Sequence, residues 1–438
     1  MTRLLIALVS VVLIALPVRA QSILRDAETE RALRELARPL FAAAGMGGGS
    51  VNIWLIEDRQ MNAFVADNQH IFVTTGLLLR LKRAEELQAV LAHEIAHITN
   101  GHIARRSINA TNARTAAGLG LILAAAAAAA GEGGASAGLA IGTRSSADRV
   151  FLSHTRAEEA SADQSGIRYM ASAGVDPSAA ADVLELFRGQ EALNIGRQDP
   201  YARSHPLSRD RIRAVEGFVA AYGGRARDDQ TADYWFAVAH GKLSAYLQNP
   251  SQTIRQVRND NSVIGLMRRA VAYHRMPRPD EAIRAATQLV NARPQDPYAR
   301  ETLGWILLEN RRPGEAIRAY RDAVGLSRND PLILAGLGRA LVAEGSAGSI
   351  REALQVLERS RSRDPGNPSV LRDLATAYAK TGNPGMASVA SAERLALMGR
   401  LPDAAIHAGR ASDLLPRGTP GWNRAQDILR AAENTRRR

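Results

Sequence analysis

The sequence predicts a mostly α protein, with a mixed α+β domain built on one small sheet and then an α-solenoid of stacked helix pairs. Three observations predict it. Three short β-branched and aromatic runs lie close together between residues 51 and 74, with helical patterns on both sides. A His-Glu-Ile-Ala-His cluster at 93–97 falls on one of the flanking helices. From about residue 228 only helical patterns follow, separated by Pro-Asp, Asn-Asp-Pro and Gly-Asn-Pro turns, and a five-residue string recurs after 34 residues.

Length and composition frame this reading. The 438 residues allow two ordinary domains, and an apolar content of 46% marks globular material. The net charge of +12 comes mostly from Arg spread along the chain, and aromatics make up only 5%. A nucleic-acid reader gathers basic residues on one face beside stacking aromatics, so no nucleic-acid partner is expected. A generally basic surface instead suits peripheral contact with anionic lipid. The chain has no Cys, which excludes thiolate metal sites, Cys nucleophiles and disulfides together.

Taken in order, the elements begin after a leader. Arg3, the apolar stretch from Leu4 to Leu16 and the small residues around Val18-Arg19-Ala20 read as a secretory signal peptide at 1–20, cut before Gln21. A helix is expected from Asp26 to Phe41, broken by the glycines at 47–49. Strands are expected at Val51 to Ile56, Asn62 to Ala66 and His70 to Thr74, then helices at Leu77 to Leu81 and Ala84 to Thr99. Glu85 and Glu86 stand in the first turn of the latter, where carboxylates suit the helix dipole. The uncharged run from Thr115 to Gly131 is dominated by Ala and too weakly apolar for a span; it reads as a packed helix or a flap. No integral membrane span is expected. A further helix runs from Thr155 to Ala173, and Asp176-Pro177 starts another. These parts make a domain at 21–227, and the helical repeats make one at 228–438.

Within that second domain, Glu281-Ala-Ile-Arg-Ala285 returns unchanged as Glu315-Ala-Ile-Arg-Ala319. Pro297 and Pro331 keep the same spacing, and Pro368 follows after three extra residues. Small residues Ala282, Ala316, Ala353 and Ala387 hold the slots where paired helices approach closely. The period and pattern resemble tetratricopeptide repeats, covering about Val263 to Gly399, with capping helices near Tyr234 to Leu247 and Pro420 to Ala432.

The chemistry rests on His93-Glu94-Ile95-Ala96-His97. Residues four apart on a helix differ by only about 40° around its axis, so both imidazoles can face one ion. Glu94 lies about 100° from His93, near enough to act as a base on a water beside the ion without being a ligand. A third ligand is required. The metzincin pattern fails, because Asn100 and Ile103 stand where Gly and His would be needed. His102 is about 140° round the helix from His97 and is expected to face elsewhere, in a structural hydrogen bond. The segment Glu158-Glu159-Ala160-Ser161-Ala162-Asp163 puts Glu159 and Asp163 on one helix face, so one carboxylate can bind zinc while the other orients an imidazole. His154 is a rival ligand.

The His-Glu-x-x-His helix, the later Glu-x-x-Ala-Asp helix and Gly166 together resemble the HtpX/CAAX-prenyl-protease family of gluzincin zinc metallopeptidases. That resemblance implies one Zn2+ held by His93, His97 and Glu159, with Glu94 as catalytic base and Asp163 behind the ligands. The order of leader, catalytic domain and repeats is similar to the periplasmic, repeat-bearing group of that family. In that group the His of Ser204-His205-Pro206 can take the open zinc position and hold the enzyme latent; a loop His stabilising a Pro turn is the plainer alternative. Arg211 or His205 is also a candidate oxyanion donor. Gluzincins commonly bind substrate as an added strand, which the expected strand at 62–66 would accept. The function implied is a periplasmic zinc endopeptidase that degrades misfolded or unassembled outer-membrane proteins, its repeats docking on the assembly machinery or on substrate. The alternatives are a chaperone with a largely latent protease site, or a general secreted peptidase.

Overall fold

A computed structural model describes residues 22–47, 51–103, 156–194, 197–224 and 226–436. The expected leader at 1–20, the alanine-rich run at 115–131 and His154 lie outside the described residues. The sheet has the order β1-β2-β4-β3, from β1 (Ser22–Leu24), β2 (Asn52–Glu57), β3 (Ala63–Asp67) and β4 (His70–Thr74). β2 and β4 are parallel; β1 and β3 are antiparallel edges. Three strands match expectation within a residue or two, whereas β1 was not expected. Alternate side chains go to opposite faces. Ile53, Leu55, Val65, Ile71 and Val73 join the main core, while Trp54, Ile56, Phe64 and Phe72 cluster on the other side.

Helix α1 (Ala27–Ala43) starts where the Asp26 carboxylate accepts from the Thr29 N–H, and it buries Leu33, Leu36, Leu40 and Phe41 against the sheet. Thr74 caps α2 (Thr75–Arg80), and α3 (Ala84–Thr99) then runs through the centre of the core, buried from Leu87 to His97. Beyond the undescribed stretch, α4 (Arg156–Ala173) packs along α3. The two backbones come very close: a Cβ on Gly166 would stand 3.2 Å from the carbonyl carbon of Ala92 and the nitrogen of His93. Thr99 and Tyr169 share a hydroxyl hydrogen bond of 2.9 Å, and the Asn100 amide donates to Ser161, so the end of α3 is also tied to α4. Helices α5 (Ser178–Glu185), α6 (Pro200–Ser204) and α7 (Arg209–Tyr222) complete this part.

The repeats follow α8 (Gln230–Leu247) and α9 (Pro250–Gln256) as consecutive pairs. They are α10 (Val263–Arg275) with α11 (Pro279–Ala292), α12 (Pro297–Glu309) with α13 (Pro313–Leu326), and α14 (Pro331–Glu344) with α15 (Ala347–Arg363). Then come α16 (Pro368–Lys380) with α17 (Pro384–Leu397), and α18 (Leu401–Leu414) with α19 (Pro420–Arg436). Pro at the first helical position and Asp or Asn caps at 296, 330, 367 and 383 explain the turn signals in the sequence. Ala282, Ala316 and Ala353 are fully buried between helices, as expected. Ala387 is only half-buried, with Ser388 and Val389 buried in its place, so the packing shifts where the repeat loosens. No described helix is long and apolar enough to cross a membrane.

The two halves share material. Phe236, Val238, Ala239 and Leu243 of α8 belong to the same core as α1 and α3, while α8 also packs on α10. Ala27 reaches the core of the repeats, and Arg25 bonds Asp364 at 2.9 Å. Lys242 of α8 meets Asp26 at 2.8 Å, Glu28 at 3.2 Å and Glu301 of α12 at 3.7 Å, beside a cavity of about 340 Å3 that Trp305 and Tyr320 also line.

Gly166→Ala gains helix propensity of about 1 kcal/mol but pushes a methyl into the α3 backbone, an overpacking cost of roughly 1–3 kcal/mol. Urea denaturation should show a net loss of stability; an unchanged or raised midpoint would mean the helices separate freely. At the joint, burial raises the Glu301 carboxyl well above the usual range, although Lys242 draws it down. A carboxyl that holds its proton more tightly when folded contributes full stability below its unfolded pKa and loses it as pH rises towards the folded value. Glu301→Gln should therefore flatten the decline in stability between pH 5 and pH 8, read by denaturation at both.

Candidate metal centre

His93 and His97 leave α3 on the same side, one turn apart, and meet Glu159 from α4 and His205 from the end of α6. One donor atom from each of the four lies within 4.8 Å of the others, and all four residues are buried. Nε2 of His93 is 3.0 Å from Nε2 of His97 and 3.2 Å from Nδ1 of His205. Glu159 stands 3.4 Å from each of the two helix imidazoles and 3.1 Å from Nδ1 of His205. Metal–ligand bonds of about 2.0–2.1 Å at tetrahedral angles place neighbouring donors roughly 3.3–3.4 Å apart. The four side chains therefore fit one ion of zinc's size.

The far side of each imidazole supports that fit. Nδ1 of His93 donates to Asp163 at 3.0 Å, which leaves Nε2 as the nitrogen available to an ion. Nε2 of His205 lies 3.2 Å from the Ala63 carbonyl, so its Nδ1 lone pair is the inward one. Nδ1 of His97 meets Nδ1 of His102 at 2.9 Å. The last contact is the structural hydrogen bond expected of His102, but it corrects the helical-wheel expectation that this residue faces away from His97. The helix ends at Thr99, and Gly101 takes a left-handed φ of 70°, so the chain turns back and His102 packs on His97. Only that glycine, just past the helix, hinted at it.

Arg211 explains how two buried carboxylates are tolerated. Its Nε and Nη2 donate to Asp163 at 2.6 and 2.9 Å, and Nη1 reaches Glu159 at 2.7 Å. Nη1 also donates to the carbonyls of His205 and Pro206, 3.2 and 3.3 Å away. With its donors so engaged, Arg211 fits the holding of carboxylates and loop better than oxyanion stabilisation. Burial would raise both carboxylates, but His205 and Arg211 hold Glu159 well below its usual range, and Arg211 and His93 lower Asp163. Burial opposes protonation of His93, yet Asp163 and Glu159 lift it to about 10, while burial keeps His97 well below its usual value.

Glu94, also fully buried, has Oε1 3.4 Å from Nε2 of His205. It sits beside the cluster and is not among the four converging donors. The edge strand β3 borders this region but is not bare. The Tyr201 N–H of α6 donates to the Met61 carbonyl at 3.1 Å, and His205 reaches that of Ala63. The short helix that delivers His205 thus covers the start of the edge expected to receive substrate.

Residues 24–219 match the profile of Peptidase family M48, and residues 267–331 that of a tetratricopeptide repeat. A Vibrio cholerae protein, provisionally named a β-barrel assembly-enhancing protease, is 27% identical over 91% of this chain and 83% of its own length. The β-barrel assembly-enhancing protease of Yersinia pestis is 26% identical over 41% of this chain and 37% of its own. The mitochondrial metalloendopeptidase OMA1 of Schizosaccharomyces pombe is 32% identical over 41% of this chain and 50% of its own. The chain thus spans half or less of the last two relatives. These similarities, with the His/Glu cluster, make the chain a metal-dependent peptidase carrying repeats.

Glu159 and Asp163 have depressed values when folded, so their contribution is full above the usual carboxylate range and is lost as pH falls through those values. Arg211→Met takes the guanidinium away from both carboxylates, leaving them only imidazole partners, and should cost metal-stripped protein about 3–5 kcal/mol at pH 7. Its acid-side loss should be shallower than that of the parent chain, as read by guanidinium denaturation from pH 7 to pH 3.

Proposed function

We propose that this chain, a peptidase family M48 domain followed by tetratricopeptide repeats, is a periplasmic zinc endopeptidase acting in outer-membrane protein quality control. The observation that carries the reading is the convergence of His93, His97 and Glu159 on one point with Glu94 alongside. The division we infer is a leader at 1–20 cut near Ala20–Gln21, a peptidase domain at 21–227 and a repeat domain at 228–438. The names of the relatives support β-barrel outer-membrane proteins as substrates, with the assembly machinery as the partner the repeats would engage.

Zinc held by His93, His97 and Glu159 would supply Lewis acidity to a peptide carbonyl and lower the pKa of a water. Glu94 is the base that takes the proton of the attacking water and returns it to the leaving amine. Asp163 holds the ring of His93 in the tautomer that presents Nε2 inward. Arg211 keeps Glu159 ionised. An extended substrate would lie along β3, its backbone pairing with the Met61–Ala63 carbonyls that α6 now covers.

His205 favours a second reading. A hydrolytic site needs one position open, and here a fourth donor fills it. We infer that the resting chain is latent and that chaperone activity in barrel assembly dominates until α6 lifts. Casein cleavage and metal content of the full chain separate the cases. Glu94→Gln should retain stoichiometric zinc and lose cleavage by about 10²-fold or more. His205→Ala should raise cleavage above the parent chain. Equal or lower cleavage by His205→Ala would remove latency, and cleavage by Glu94→Gln at the parent rate would remove the base assignment.

A further inference from the structure

His102 lies outside the four converging donors, yet it is buried to 1% exposure with its ring centroid 5.0 Å from that of His97. Its Nδ1 stands 2.9 Å from Nδ1 of His97. Two ring nitrogens at that distance must share a proton, one donating and the other accepting. Nε2 of His97 is the nitrogen turned towards His93 and Glu159, so on the zinc reading it is the one that must offer its lone pair to the ion. The proton is therefore on Nδ1 of His97, and His102 is the acceptor. The pairing depends on the left-handed Gly101, whose N–H closes onto the Ile98 carbonyl at 3.1 Å and swings residue 102 back over the helix end.

We propose that His102 is a positioning residue for His97, fixing its tautomer and ring angle so that Nε2 is presented to the ion. This rests on the zinc reading above and adds a residue to it. His93 is held from behind by a carboxylate, which strengthens it as a donor; His97 is held by another imidazole. Without the acceptor, the buried Nδ1–H of His97 would lose its bond, and the ring would gain by turning or by taking the opposite tautomer. Either change withdraws Nε2 from the cluster.

The test measures zinc affinity of the full chain by competition with a chromogenic chelator, and the visible spectrum of the cobalt-loaded protein. His102→Phe and His102→Leu remove the acceptor, whereas the amide oxygen of His102→Asn can take the place of Nδ1. The apolar variants should bind zinc 10–100-fold more weakly, with an altered cobalt spectrum. His102→Asn should stay within about threefold of the parent, since it accepts the same hydrogen bond. Parent-like affinity in a folded apolar variant, or equal losses in Asn and Leu, would overturn the role. A parent chain that takes up no zinc would instead sink the metal site itself, and this role with it.

Discussion

Three imidazoles and a carboxylate share a few ångströms of protein interior, and the rest of the fold makes that crowding tolerable. Buried donors of this kind are costly unless each is paired. Here the pairing is layered: Asp163, His102 and the Ala63 carbonyl take the outer nitrogens, and one guanidinium bridges two carboxylates. The layering needs α3 and α4 nearly in backbone contact, which the missing side chain at Gly166 permits. Small residues along that seam are thus part of the site even though they touch no donor.

Much of this was legible because its causes are local. The spacing of His93 and His97 is a helix property, and α3 has the bounds its pattern predicts. The repeats were legible because turns and small residues recur with a fixed period. Glu159 was less so: helix periodicity puts it with Asp163 on one face but does not say what that face meets. The similarity to known peptidases, not geometry, singled it out. His102 was misplaced because a helical wheel was carried past the end of the helix, where Gly101 redirects the chain. The three-residue β1 is too short to show an alternating pattern, so its pairing with β2 could not be read.

One short element joins access and chemistry. Helix α6 is fastened to the start of β3 through Tyr201, and its last turn delivers His205 into the cluster. Arg211 grips the carbonyls of His205 and Pro206 from the other side. Lifting α6 would bare the strand edge and withdraw the fourth donor in a single movement. On the latent reading proposed above, substrate contact and release of the site would be mechanically linked.

The shared helix α8 has a consequence for how the chain comes into being. The core built by residues 27–103 is shared with Phe236 and Leu243, so its full burial waits until those residues have been made. A nascent chain would hold an unfinished peptidase until just past its midpoint. Lys242, arriving on the same helix, then waits for Glu301 of a later repeat. The amputated repeat half would carry α8 with one apolar flank bare. Biogenesis is therefore a matter of timing, with catalytic competence arriving only after the scaffold that flanks it has begun to form.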